Sequence, residues 1–351
     1  MLIATGCAFL LSVLITPIVI ALCKKYNWYD EVDPRKVHKG AIPRLGGLGV
    51  FLAFIVAAAI YILLFSQEDY IFALPIFSGG LIIFVAGVLD DFLNLRAKLK
   101  FVIQIIAALT VSLSPLYFHT ILGFTIPSVL GRIITFLWII GLVNAYNLID
   151  GLDWLCGGLS FLTMLTMGFI LSSYGKDAGN LYFILAAAIA GFLVFNKPPA
   201  KIFLGDGGSQ TLGYFVAVSP LFNTFGAFED TKIIVLVLLS SIPVTDVIAA
   251  VWRRKRDHRA IFSADRAHIH HKLVNIGFSK VTTVGFLLML QFLICLSSLG
   301  VIFMRNKKSA VVLLFVALSF VYLFFITIHY INRAVNIKMR GHLDAAPQEE
   351  H

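Results

Sequence analysis

The stretch "GVLDDFLNLRAKLK", residues 87–100, closes an apolar run and sets Asp90 and Asp91 side by side, with Arg96, Lys98 and Lys100 close behind. Adjacent carboxylates repel each other, so a chain that keeps the pair needs a compensating cation nearby. The solvent around the pair follows from composition. Of 351 residues 59% are hydrophobic and 13% charged, with a mean hydropathy of +0.90, whereas an ordinary soluble domain is roughly 25% charged. The run ending at the doublet therefore reads as a membrane span, and the doublet lies at a membrane surface.

Working outward, runs of about 20 apolar residues, enough to cross a ~30 Å hydrocarbon core, lie near 2–22, 45–65, 71–89, 99–117, 129–148, 157–174, 180–195, 210–226, 232–252, 284–304 and 309–331. They predict an all-α polytopic membrane protein of about eleven transmembrane helices. Residues 1–342 read as one integral membrane catalytic domain and 343–351 as a disordered tail. The first run has no basic stretch before it and no small-residue cleavage pattern after it, and so reads as a retained span. Cys7, Cys23, Cys156 and Cys295 are widely spaced and read as small buried hydrophobes.

Charge sets the expected orientation. With eleven spans, one side holds 22 of the 28 Lys and Arg and is expected to be cytoplasmic, leaving the N-terminus outside and the C-terminus inside. The cations of "RNKKS" (305–309) run against that assignment. The net charge of +9 suits anionic lipid head groups and phosphorylated substrates; nothing in the pattern calls for nucleic acid. Every loop rich in Asp, Asn, His and Gly falls on the basic side: "KVHKGAIPRLGG" (36–47), "DDFLNLRAKLKFVIQ" (90–104), "NAYNLIDGLDWLCGG" (144–158), "FNKPPAKIFLGDGGS" (195–209) and "FSADRAHIHHKL" (262–273).

Carboxylates at three helix ends, Asp90 with Asp91, Asp150 with Asp153, and Asp206, are hard oxygen ligands suited to Mg2+. Lysines, histidines and glycine-flanked amides would hold phosphoryl oxygens. The set points to metal-assisted phosphoryl transfer on the cytoplasmic side. Successive helical residues point about 100° apart, so Asp90 and Asp91 should do different work. "HIHH" by itself reads as a basic patch more readily than as a zinc site, for no cysteine or matching spacing supports zinc. Asp246, inside an apolar run, is costly there and so a functional candidate, with Arg253 as its expected partner. A secondary transporter for an anionic solute is the competing class, but its site would lie near mid-bilayer and often within repeats, and no repeat is visible.

An ordered series carries a family resemblance: His38, Pro43, Gly46 and Gly47; Gly87, Asp90 and Asp91; the lysine-rich stretch ending in Gln104; Asn144, Asn147 and Asp150 to Asp153; Asn196 and Phe203 to Ser209; Pro243 and Asp246; and His268 to His271. Together they resemble the polyprenyl-phosphate N-acetylhexosamine-1-phosphate transferases over residues 36–273, and "HIHH" resembles the branch using UDP-N-acetylglucosamine. One departure is Trp154, where the family commonly has glycine. The resemblance implies attack of a membrane polyprenyl phosphate on the β-phosphorus of a UDP-N-acetylhexosamine, releasing UMP, at a plasma-membrane (inner-membrane) site facing the cytosol; another UDP-N-acetylhexosamine or UDP-MurNAc-pentapeptide is the alternative donor. It implies Asp91 and Asp206 as ligands of Mg2+, with Mn2+ a substitute, and Asp90 as the group positioning or deprotonating the lipid phosphate. It further implies that Lys39, Lys98, Lys100, Arg266, His268, His270 and His271 hold phosphates, and that Asn144, Asn147, Asp150, Asp153 and Asn196 hold nucleotide or order the site. Whether Lys98 or Lys100 is the site lysine stays open, and a homodimer is compatible with this reading.

Overall fold

A computed structural model describes residues 1–29, 42–66, 70–121, 123–175, 177–222, 232–258, 260, 267–304 and 306–344. Within a membrane every backbone N–H and C=O must be satisfied inside the protein, so apolar runs fold as helices. In chain order these are α1 (Leu2–Tyr26), α2 (Gly46–Leu64), α3 (Leu74–Leu93), α4 (Ala97–Ser112), α5 (Ser128–Ile149), α6 (Leu155–Ser173), α7 (Ala178–Asn196), α8 (Gly205–Val218), α9 (Lys232–Leu239), α10 (Ser241–Arg256), α11 (Ile269–Asn275), α12 (Lys280–Phe303) and α13 (Lys307–Asp344). A two-stranded hairpin, Thr120–Ile121 against Phe124–Thr125, joins α4 to α5.

Each of the eleven apolar runs contributes a helix among the described residues, but they are not eleven equal spans. Among the described residues eight helices are long and apolar enough to cross a membrane, nine if α9 and α10, which meet at 75°, form one broken span. α4 and α8, with 16 and 14 residues, fall short of the ~20 that a crossing needs. α8 can be short because it does not face lipid: Gly207 to Val218 are all buried, and α2, α3, α5 and α6 pack around it. α11 is an additional helix on a loop, and α13 runs past residue 342 to Asp344.

Small residues bring the helices together. α1 buries Ala4, Ala8, Ser12 and Thr16 at four-residue spacing while Leu10, Leu14 and Ile18 stay exposed, the pattern of a helix with one protein face and one lipid face. The closest approach is at the start of α8. A Cβ added to Gly47 would lie 2.5 Å from Cα of Gly208, and one added to Gly87 would lie 2.5 Å from Cα of Gly207. The backbones of α2 and α3 thus touch the first turn of α8 directly. Backbone bonds from Phe203 N–H to Pro43 O (2.7 Å), Gly46 N–H to Phe203 O (2.9 Å) and Gly47 N–H to Leu204 O (2.8 Å) lock this turn to the segment before α2.

Candidate active site

The doublet that opened the sequence reading is divided by the helix turn. Asp91 points at the first turn of α8, where helical N–H groups have no partner of their own: its Oδ1 accepts from Asp206 N–H and its Oδ2 from Gly207 N–H, both at 3.0 Å. Arg44 lies 3.7 Å from Oδ1, and donates from Nε to the Asp91 carbonyl at 3.0 Å and from Nη2 to that carbonyl and to Oδ1 of Asn94. Asp91 is thus a cap for α8 and a tie between three segments. The expected role as a metal ligand would fall to a side chain only 3% exposed.

Asp90, about 100° further round the helix, has other partners. Its Oδ1 accepts from Leu95 N–H at 2.8 Å and its Oδ2 pairs with Lys100. The same ammonium reaches Oδ2 of Asp206 at 3.1 Å, and Oδ1 of Asp206 accepts from Asn147 Nδ2 at 3.0 Å. Asn147 Nδ2 also donates to Ser209 Oγ at 3.1 Å. Of the two candidate lysines, Lys100 bridges carboxylates from α3 and α8, whereas Lys98 is exposed on the surface of α4. The side chain of Asp206 remains about a third exposed (34%) while that of Asp90 is buried (3%), so Asp206 is the carboxylate that an incoming ligand can reach.

Asp150 follows the last residue of α5. Burial first, and then the charges of Asp206, Asp91 and Asp153, push its carboxyl up to about 8. Behind the ion pair lies a polar chain: Asn144 Nδ2 donates to Gln104 Oε1 at 2.7 Å, and Gln104 Nε2 donates to Gln210 Oε1 at 3.1 Å. Gln104 and Gln210, with Asp90, Lys100 and the apolar Ile83, Ala86, Leu95 and Ile103, line a small cavity of about 10 Å³. Asn144 supports this chain and not an open surface.

The loop after α5 is held by side chains expected to bind substrate. Asn196 accepts from Trp154 N–H at 2.8 Å and donates to Ile202 O at 2.8 Å. It is 5% exposed, so its amide is spent on the scaffold, contrary to the substrate-binding expectation. Asp153 Oδ2 accepts from Ala200 N–H at 3.1 Å and does similar work. Trp154 has φ 70°, the left-handed region that favours glycine, which accounts for the glycine common in the family. Its indole N–H to Leu193 O (2.7 Å), with the Asn196 bond, holds it there.

The histidines lie beside this loop. Asp246 on α10 accepts from His268 Nδ1 at 2.7 Å and from Ile269 N–H at 2.8 Å. Its partner is thus the histidine before α11, and not the expected Arg253 two turns along the same helix face. His270 is 1% exposed and packs against Gly151, where a Cβ would meet its ring. Burial, then His271 and His268, drive His270 down to about 3 against the pull of Asp246, so its ring is neutral. His271 lies 4.2 Å from His270, centroid to centroid, and is the half-exposed member of the group. His268 and His270 are buried, and His271 is the ring of the three most open to a ligand. Lys39 and Arg266 lie outside the described residues.

Sequence reasoning passed over several groups. Arg44 and Gln210 were not singled out, since an arginine in a loop and a glutamine inside an apolar helix have no motif of their own. Arg254 is 8% exposed, shares the α10 face of Asp246 and has its Nε without a hydrogen-bond partner. The i, i+4, i+8 spacing of Asp246, Ala250 and Arg254 is the signal that could have found it. Among the described residues no group of three or more His, Cys, Asp or Glu is arranged to hold a metal ion by itself.

A helical membrane bundle that gathers carboxylates, a bridging lysine and histidines at one end is a membrane enzyme built for phosphoryl chemistry. The family model described as glycosyl transferase family 4 matches residues 73–223, the part carrying Asp90, Asp91, Lys100, Asn147, Asp150 and Asp206. The chain is 34% identical to a probable undecaprenyl-phosphate N-acetylglucosaminyl 1-phosphate transferase of Bacillus subtilis, over 92% of this chain and 90% of that one. It is 30% identical to an undecaprenyl-phosphate α-N-acetylglucosaminyl 1-phosphate transferase of Salmonella typhi, over 79% and 78%, and 29% identical to the protein of that name in Escherichia coli K12, over 84% and 81%. The chain belongs to glycosyl transferase family 4, and is a glycosyl-1-phosphate transferase that spans the membrane several times.

Proposed function

We propose that this protein transfers N-acetylglucosamine 1-phosphate from UDP-N-acetylglucosamine to undecaprenyl phosphate in the plasma membrane, at a site facing the cytosol, with the N-terminus outside. The observation that carries the reading is Lys100, which draws Asp90 and Asp206 together at the membrane surface beside Asn147 and Asp150. The basic charge on that side supports the cytosolic assignment.

In this reading an oxygen of the lipid phosphate attacks the β-phosphorus of the nucleotide sugar, the bond from that phosphorus to the UMP oxygen breaks, and UMP leaves. A phosphate monoester has its second pKa near ~6, so the nucleophile is already a dianion and needs no base. Asp90, committed to Leu95 N–H and Lys100, orients the lysine instead. Lys100 holds phosphate oxygens, Asn147 fixes the rotamer of Asp206, and His271 meets the donor. The donor set suits Mg2+: oxygen ligands only, with Asp150 raised to about 8 by burial first and then by the charges of Asp206, Asp91 and Asp153. Asp206 with Asp150 would hold the ion, which supplies charge neutralisation at the transferring phosphate. Asp91 is left to cap α8. The test is UMP release in detergent from a panel of UDP-sugars. The reading expects release from UDP-N-acetylglucosamine that requires both polyprenyl phosphate and Mg2+; turnover without either one overturns it.

A further inference from the structure

Gln291 lies in the middle of α12, an apolar span, and is 0% exposed. An amide in such surroundings needs partners for its N–H groups. Its Nε2 donates to the Leu239 carbonyl at 2.9 Å and to Thr163 Oγ1 on α6 at 3.1 Å. Leu239 is the last residue of α9, and four residues further on stands Pro243. In a continuous helix the N–H of residue 243 would bond that carbonyl, but proline has no N–H. The chain bends by 75° at this point. Asp246, three residues beyond Pro243, then meets His268 and caps α11. The other bond of Gln291 ties the bend to α6, which begins at the loop whose Gly151 touches His270.

We propose that Gln291 is a positioning residue: its amide supplies, from another helix, the donor that Pro243 lacks, and so fixes the bend that carries Asp246 to His268. The proposal rests on the reading that this pair belongs to the active site. Gln291→Leu keeps the side-chain size and removes both donors. In the full-length protein it lowers kcat/KM for the nucleotide sugar about tenfold or more, as small displacements of a reacting site do. In an Asp246→Ala background the same change costs about twofold or less, because the contact it positions is already gone. A merely structural role would give the same loss in both backgrounds. Gln291→Glu keeps one donor while its buried acid is neutral, and retains more activity than Gln291→Leu; it carries the same cycle if the leucine variant does not fold.

The bend itself is read by spin labels at Ile248→Cys on α10 and Met289→Cys on α12, exposed 63% and 54%, with Cys7 replaced by serine. The distance distribution is narrow with Gln291 present and broadens or shifts in Gln291→Leu. An unmoved distribution, unchanged kinetics, or equal losses in both backgrounds overturns the proposal. The distance does not depend on the substrate, so a wrong nucleotide sugar would abolish turnover in every variant and leave this result readable.

Discussion

Two neighbouring aspartates meet different fates because a helix turns between them. Asp91 gives both oxygens to backbone N–H groups of α8, and Asp206 keeps a face open to ligand. Asp206→Asn is therefore expected to lose ~100-fold or more in kcat and to need more Mg2+, since charge stabilisation at a transferring phosphate is worth several kcal/mol. Asp91→Asn is expected to lower the melting temperature, as loss of a buried acceptor costs ~1–3 kcal/mol, with the Mg2+ requirement of the surviving enzyme unchanged. Magnesium titrations and thermal melts of both variants separate the roles; equal shifts in Mg2+ requirement would return Asp91 to the metal. Lys100→Met should cost a similar ~100-fold, while Lys98→Met, on an exposed residue, should stay within about twofold.

Asp150 adds a pH dependence. Its carboxyl is raised to about 8 in the folded chain, against about 4 when unfolded. Between those values the folded state holds a proton that the unfolded state has lost, so this group's contribution to stability falls as pH rises through the window. Without Mg2+, Asp150→Asn should raise the melting temperature, and more at pH 8 than at pH 5. Bound cation should erase that gain for the native chain. A variant whose advantage does not grow with pH refutes the assignment.

At the scale of elements, α8 and α11 show how short helices are placed. α8 is seated by Gly47, Gly87, Gly207 and Gly208 and capped by Asp91, while α11 is seated by Asp246, which accepts from its first N–H and from His268. Asp246→Ala therefore removes a cap and a histidine partner at once. It is expected to lower kcat/KM for UDP-N-acetylglucosamine about tenfold or more. His271→Ala should act mainly on the KM of the nucleotide sugar, being the half-exposed ring. Steady-state kinetics at saturating lipid decide this, and a His271→Ala enzyme with unaltered KM would remove that residue from the donor site.

For the molecule as a whole, Lys100 of α4 meets the carboxylate cluster, and the proposed topology has this end facing the cytosol by the positive-inside rule. Cysteines replacing exposed Lys98 and Phe124 sit at opposite ends of the α4 region. In intact cells an impermeant maleimide should label the residue 124 variant and spare the residue 98 variant, and inverted vesicles should reverse this. The opposite pattern would invert the topology and move the site outside.

Local chemistry made much of this legible. Apolar run length dictates helices in a membrane because the backbone has no other partner there, so each of the eleven runs contributes a helix among the described residues, and polar residues clustered at run ends marked Asp90, Asp150 and Asp206. Composition could not show which runs are sheltered: α8 reads as a span and stops at 14 residues because four helices shield it from lipid, a fact about neighbours. Nor could spacing choose Lys100 over Lys98, or tell that Asn196 braces a loop while Asn147 holds Asp206, because a side chain's partner comes from a distant segment. Arg253 stands seven residues from Asp246 in sequence, yet His268 pairs with it, because tertiary packing sets the start of α11 beside α10.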